Sequence, residues 1–155
     1  MSIEKINAAI NLIDENGLER PYLQSKYAAS FDEVDYVEKE LGFKFTESYC
    51  YFLTNYGTGD FRGLEFYGLI HKQVDIEEIP NAFWFTKSSR ESDGLKENLF
   101  VIEDLGDGMM ACIDFSKRVN DEHSIVEFDI GSPDTQSVLA DSFGDYFYQR
   151  IESVI

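Results

Sequence analysis

The chain has 155 residues, a formal net charge of −17 and 15% aromatic side chains. With 13 Lys and Arg against 30 Asp and Glu and no basic cluster, nucleic acid and anionic lipid are excluded as ready partners, because their phosphates repel such a surface. The aromatic content excludes a solvated acidic tail, which lacks core-forming residues, so the charge belongs on the outside of a packed domain.

The elements can be read in chain order. Ile3, Ile6, Ile10 and Ile13 recur at helical steps, and Asn16-Gly17 supplies a stop. Ser30 and Glu33 have the S-x-x-E spacing of a capping box and open a second helix. Val34, Val37 and Leu41 are its buried stripe, and Gly42 ends it. A third, short helix follows Thr46, whose hydroxyl is expected to cap it. Tyr49, Phe52, Leu53 and Tyr56 face its core side before Gly57-Thr58-Gly59 breaks it. The pattern then turns to strand. Leu64 to Ile70, Asn98 to Glu103, Met109 to Phe115 and Ser124 to Asp129 are strand candidates. Gly106-Asp107-Gly108 and Val119-Asn120-Asp121-Glu122 suit antiparallel hairpins. Pro80 to Glu91 reads two ways. Pro80 fits a first helical turn, whereas Phe83-Trp84-Phe85-Thr86 has strand propensity; a short helix is the expectation. Leu139, Phe143, Tyr146, Phe147, Arg150, Ile151 and Val154 lie along one side of a closing helix. Helices, an antiparallel sheet and a final helix make an α+β domain, expected as one unit over residues 1–155.

Little in the chain supports catalysis or metal binding. Its two cysteines, Cys50 and Cys112, have apolar neighbours and are expected to be buried free thiols in a reducing compartment. A Cys112–His123–Asp114 set is conceivable across paired strands, but Cys112 sits on a face that should be core, and a reactive thiol needs exposure. The expectation is a buried cysteine and a surface His123. His71 follows a strand. No zinc-ligand spacing occurs, and Glu103-Asp104-Leu105-Gly106-Asp107-Gly108 lacks the ligand pattern of a calcium loop. Gly57-Thr58-Gly59 lacks the spacing of a phosphate loop. No catalytic residue, metal or cofactor is therefore expected. The N-terminus Met1-Ser2-Ile3-Glu4-Lys5 does not read as a signal peptide, and no apolar run reaches the roughly 18–20 residues of a membrane span. A cytoplasmic location follows as the expectation.

Three stretches read together. The first runs from Phe31 to Gly59, with Leu41-Gly42-Phe43-Lys44-Phe45, Ser48-Tyr49, Phe52-Leu53 and Tyr56-Gly57. The second is Leu64 to Leu69, ending in Phe66-Tyr67-Gly68-Leu69. The third comprises Val101-Ile102-Glu103-Asp104, Cys112-Ile113-Asp114, Val126-Glu127-Phe128-Asp129 and Ala140-Asp141-Ser142-Phe143. As an ordered set over about residues 30–155, this resembles the SUKH superfamily, which includes fungal cell-wall-assembly regulators and bacterial toxin-immunity proteins. The C-terminal half looks like the YobK-type immunity proteins. Thr46 stands where the family often has proline, and Phe128 where it often has tryptophan.

The resemblance implies an α+β domain without catalytic residues that binds a cognate toxin, often a nuclease, and blocks it. A regulatory scaffold without a toxin is the alternative that the fungal members imply. A nuclease must present cations to phosphate, so displayed carboxylates are suited to its groove and to fast, steered association. Candidate interface carboxylates, chosen near loops and strand ends, are Asp60, Glu103, Asp104, Asp107, Asp129 and Asp134. Trp84 and Phe83 would be anchors if exposed, or core residues if their helix packs on the sheet. The sequence does not set an oligomeric state.

Overall fold

The computed structural model describes residues 2–134 and 136–155. Helix α1 (Ser2–Glu15) buries Ile6, Ala9, Ile10 and Ile13, with Ile3 at the stripe's half-exposed edge. A 3-10 turn (Ser25–Tyr27) precedes α2 (Phe31–Leu41). The α2 capping box is complete: Glu33 N donates to Ser30 Oγ at 3.1 Å, and Ser30 N to Glu33 Oε1 at 2.8 Å. Gly42, at φ +78°, ends the helix in the left-handed region, where glycine is the least strained residue.

Helix α3 (Glu47–Asn55) corrects the expectation about Thr46. The Thr46 hydroxyl does not cap; it donates to Glu122 Oε1 at 3.0 Å and accepts from His123 N at 3.4 Å. The capping acceptor is Glu122, whose Oε2 takes Ser48 N at 3.1 Å and whose Oε1 takes Ser48 Oγ at 2.7 Å. Ser48 Oγ then accepts from Gly144 N at 3.2 Å. One buried carboxylate thus ties the first turns of two helices to a hairpin.

The expected strand from Leu64 to Ile70 is shorter than its apolar run. It begins with a hairpin, β1 (Gly59–Phe61) and β2 (Leu64–Phe66), and then leaves regular pairing. Tyr67 N donates to Ile102 O, Gly68 N to Pro80 O and Leu69 N to Gly57 O. Successive amides bond to different segments, so no ladder forms. Helix α4 (Ala82–Ser92) resolves the ambiguous stretch as helical. Its cap is Asn81, whose Oδ1 accepts from Phe83 N and Trp84 N while Nδ2 donates to the Val74 and Ile76 carbonyls. Pro80 therefore precedes the helix and does not enter its first turn.

The main sheet has the order β3 (Leu99–Gly106), β4 (Met109–Val119), β5 (Glu122–Asp129) and β6 (Gln136–Ala140), all antiparallel. Strand β6 corrects the reading of Leu139 as helical; α5 spans Phe143–Glu152, with Ser142 Oγ capping Asp145 N at 3.0 Å. Helix α4 guards the outer edge of β3, where Val101 N donates to Thr86 Oγ1 at 2.9 Å. Among the described residues, buried side chains from α1 to α5 and from β1 to β6 join one core. Its centre is aromatic: Phe52 lies 5.0 Å from Phe143 and 5.7 Å from Phe147, and Phe66 lies 4.8 Å from Phe147, ring centre to ring centre. Edge and tilted ring pairs of this kind add to simple burial.

Candidate functional site

The β1–β2 hairpin turns on Arg62, φ +48°, and Gly63, φ +86°. Two central residues with positive φ match the twist of a tight hairpin. The register sets Asp60 opposite Glu65, so the two carboxylates share one face of the ribbon. They line a hollow of about 220 Å³ with Thr58, Gly59, Tyr22, Tyr27 and Pro80. Close backbone approach makes this wall possible: a Cβ on Gly57 would strike the Tyr27 carbonyl oxygen, and one on Gly59 the Leu23 side chain.

The acidic border extends beyond the hollow. Burial, then the charges of Asp60 and Asp104, push the Glu65 carboxyl above its ordinary range. Tyr67 feels the same field; burial together with Asp104, Glu65 and Glu103 pushes its hydroxyl up to about 12. Asp107 occupies the β3–β4 turn at φ +54°, and Asp129 pairs with Met109 at the same end of the sheet. Asp104 Oδ1 and Asp129 Oδ1 each accept a backbone N–H two residues on, both at 2.9 Å. Those turns orient the carboxylates without neutralising them. Among the described residues, none of Asp60, Glu65, Asp104, Asp107 and Asp129 has a cationic side chain within 4.0 Å.

The expected interface residues thus divide. Asp60 and Asp104 come together around Glu65, and Asp107 stands near Asp129. Asp134 is set apart and exposed in the β5–β6 connection, 4.0 Å from Lys96 Nζ. Glu103 leaves the set. It is 3% exposed and accepts from Tyr146 Oη at 2.5 Å, Arg150 Nε at 2.9 Å and Arg150 Nη2 at 2.7 Å. Its alternation with Asp104 along β3 turns it inward. Trp84 is half-buried beside Glu77, Lys87, Ser88 and Glu91, in a separate hollow. Phe83 is buried, with Lys87 Nζ 3.8 Å from its ring centre, so it is not an exposed anchor. Sequence reasoning missed Glu65, Tyr22, Tyr27 and Pro80. Only Glu65 carried a signal: the Arg62-Gly63 turn sets it across from Asp60.

The cysteines and histidines do not gather around the hollow. Cys112 pairs in register with Val101 and Val126 inside the sheet, and burial pushes its thiol well up. Cys50 is half-buried, its thiol pushed up to about 11, first by burial and then by Glu38 and Glu122. His123 is buried, against expectation, with its ring edge-on to Phe115 at 5.3 Å. His71 Nδ1 lies 2.8 Å from Glu33 Oε1. Among the described residues, no group of three or more His, Cys, Asp and Glu is placed to hold a metal ion. No helix there is long and apolar enough to cross a membrane.

Fold and face together define an acidic α+β domain with an aromatic hollow bordered by carboxylates. The chain belongs to the SUKH_5 family, described as SMI1-KNR4 cell-wall, whose family model matches residues 3–152. That span takes in α1, which lies outside the motifs that carry the resemblance.

Proposed function

We propose that this protein is an immunity protein of the YobK type. It binds a cognate toxin protein one-to-one in the cytoplasm and neutralises it without catalysis of its own. The toxin is basic, and a nuclease is the activity that suits this chemistry. The observation that carries the reading is the uncompensated border of Asp60, Glu65, Asp104, Asp107 and Asp129 on a chain of net charge −17. A nuclease must present cations to phosphate, and displayed carboxylates compete for the same cations. Steering of this kind raises association rates by roughly 10–1,000-fold and fades with salt. Membership of a family described by cell-wall proteins favours a second reading, a regulatory scaffold without a toxin.

Co-expression separates the two. Each toxin candidate encoded beside this gene is induced with and without this chain, and growth is measured. Rescue from one such toxin is the expected result. If no neighbour kills, or none is rescued, the immunity reading fails and the scaffold reading takes its place. In stopped-flow mixing with the rescued toxin, the association rate is expected to fall steeply as salt rises. A rate insensitive to ionic strength would remove the electrostatic part of the argument.

A further inference from the structure

Asp60 and Glu65 face each other directly on a two-stranded ribbon, and like charges so placed destabilise an antiparallel pair. Among the described residues, no cationic side chain lies within 4.0 Å of either carboxylate. Arg62, the hairpin's own cation, is committed elsewhere: Nη1 donates to the Val154 carbonyl at 2.7 Å, and the guanidinium lies 5.9 Å from the Phe61 ring centre. Asp104 adds a third charge within reach of Glu65. The hollow beside this pair is walled by Tyr22, Tyr27 and Pro80. Tyr22 is 57% exposed although it is large and partly apolar. The Tyr27 ring already draws a cation, Lys26 Nζ at 5.1 Å. Lys26 itself is exposed and is not among the residues lining the hollow. At about 220 Å³, the space falls below the roughly 300 Å³ where drug-sized sites begin. It suits one long side chain.

We propose that this hollow is a receptor for a single arginine side chain of a basic partner protein, with the guanidinium set between the Asp60 and Glu65 carboxylates and against the tyrosine rings. Arginine fits better than lysine because its planar fork can bridge carboxylates and stack on aromatic faces at once, whereas an ammonium is a compact point charge. The neutralised pair loses its cross-strand repulsion when the cation arrives. This deepens the proposed function by naming the group that the partner inserts; it rests on that reading for the partner's being a toxin.

The test begins without any toxin. Backbone amide shifts of the isotope-labelled full chain are followed while N-acetyl-arginine amide is titrated, with the citrulline analogue as the uncharged isostere. Saturable shifts confined to Thr58–Asp60, Glu65 and Tyr27 with arginine, and absent with citrulline, are the expected result. They should vanish in Asp60→Asn/Glu65→Gln and in Tyr22→Ala, whose otherwise unchanged spectra report intact folding. Equal shifts with citrulline, shifts scattered over the acidic surface, or no saturable shift would each overturn the receptor. A second arm uses the toxin identified by co-expression. Glu65→Gln and Tyr22→Ala should each weaken its binding roughly tenfold or more, as loss of an interface anchor does. Wild-type affinity in both variants would sink the receptor while leaving the immunity reading intact. Arginine binding without any neutralised toxin would have the converse meaning.

Discussion

Glu103 on β3 and Arg150 on α5 meet through two hydrogen bonds, Nε to Oε1 at 2.9 Å and Nη2 to Oε2 at 2.7 Å, with Tyr146 Oη donating to the same carboxylate. The pair is uneven: the Glu103 side chain is 3% exposed and that of Arg150 32%. Removing arginine strands a buried carboxylate, whereas removing the glutamate charge leaves a guanidinium that can turn toward water. Arg150→Met is therefore expected to cost about 3 kcal/mol and Glu103→Gln about 1–2 kcal/mol. Urea unfolding at neutral pH measures both. Equal costs, or the reverse order, would refute the asymmetry.

Glu122, not Thr46, supplies the cap of α3. Glu122→Ala removes the acceptor of Ser48 N and leaves buried donors without partners, an expected loss of about 2 kcal/mol. Thr46→Ala should cost about half as much, since the capping carboxylate stays in place. Thermal and urea unfolding of the two variants decide the matter. A Thr46→Ala penalty equal to or above that of Glu122→Ala would restore the threonine to the capping role.

His123 predicts a loss of stability in weak acid. Burial, followed by the charge of Arg118, lowers its basicity below the ordinary value of 6.5, outweighing the opposite pull of Glu122 and Asp114. The unfolded chain thus takes up this proton at higher pH than the folded one. Stability is fully present above about pH 6.5 and falls as pH drops through that value, until the folded state also protonates. His123→Gln should flatten this part of the stability profile. An identical decline between pH 7.5 and 5.5 in wild type and variant would assign it to other groups.

Glu65, opposite Asp60 on the hairpin, makes the opposite contribution. Glu65 has its acidity weakened in the folded state, from an ordinary value of 4.5, so stability falls as pH rises from 4.5 toward the folded value, and the penalty persists at neutrality. Asp60→Asn/Glu65→Gln is expected to be more stable than wild type at pH 7 by about 0.5 kcal/mol, with the gain vanishing below about pH 4. A neutral or destabilising result at pH 7 would mean that the pair is relieved within the free protein.

The sequence disclosed what depends on neighbours in the chain. The Ser30–Glu33 box, the Gly42 stop and the Ile6–Ile10–Ile13 stripe are local, and each stands where its spacing placed it. The turns at Gly106-Asp107-Gly108 and Asn120-Asp121 also lie where their residues require. Assembly decided the rest. Strand β6 shows no clean alternation: Ser137 and Val138 are both exposed, and half-buried Leu139 adjoins buried Ala140, too weak a pattern to separate Leu139 from the adjoining helix. Glu103 and Asp104 are adjacent acidic residues with opposite fates, because strand alternation turns one onto α5 and the other to solvent. The hollow joins Tyr22, Asp60, Glu65 and Pro80 from three separate segments, and no local spacing announces such a meeting.

The cap on α3 bears on when that helix can exist. Nine residues make little more than two turns, a length at which helices are marginal in water and nucleation is costly. The carboxylate that completes α3 arrives from 74 positions further along the chain, and only once β5 has paired with β4 to set Glu122 beside the turn. Helicity at residues 47–55 is therefore a product of long-range assembly. Its amide protons should exchange with solvent chiefly through global opening, at the pace of the β4–β5 hairpin, and not through independent fraying.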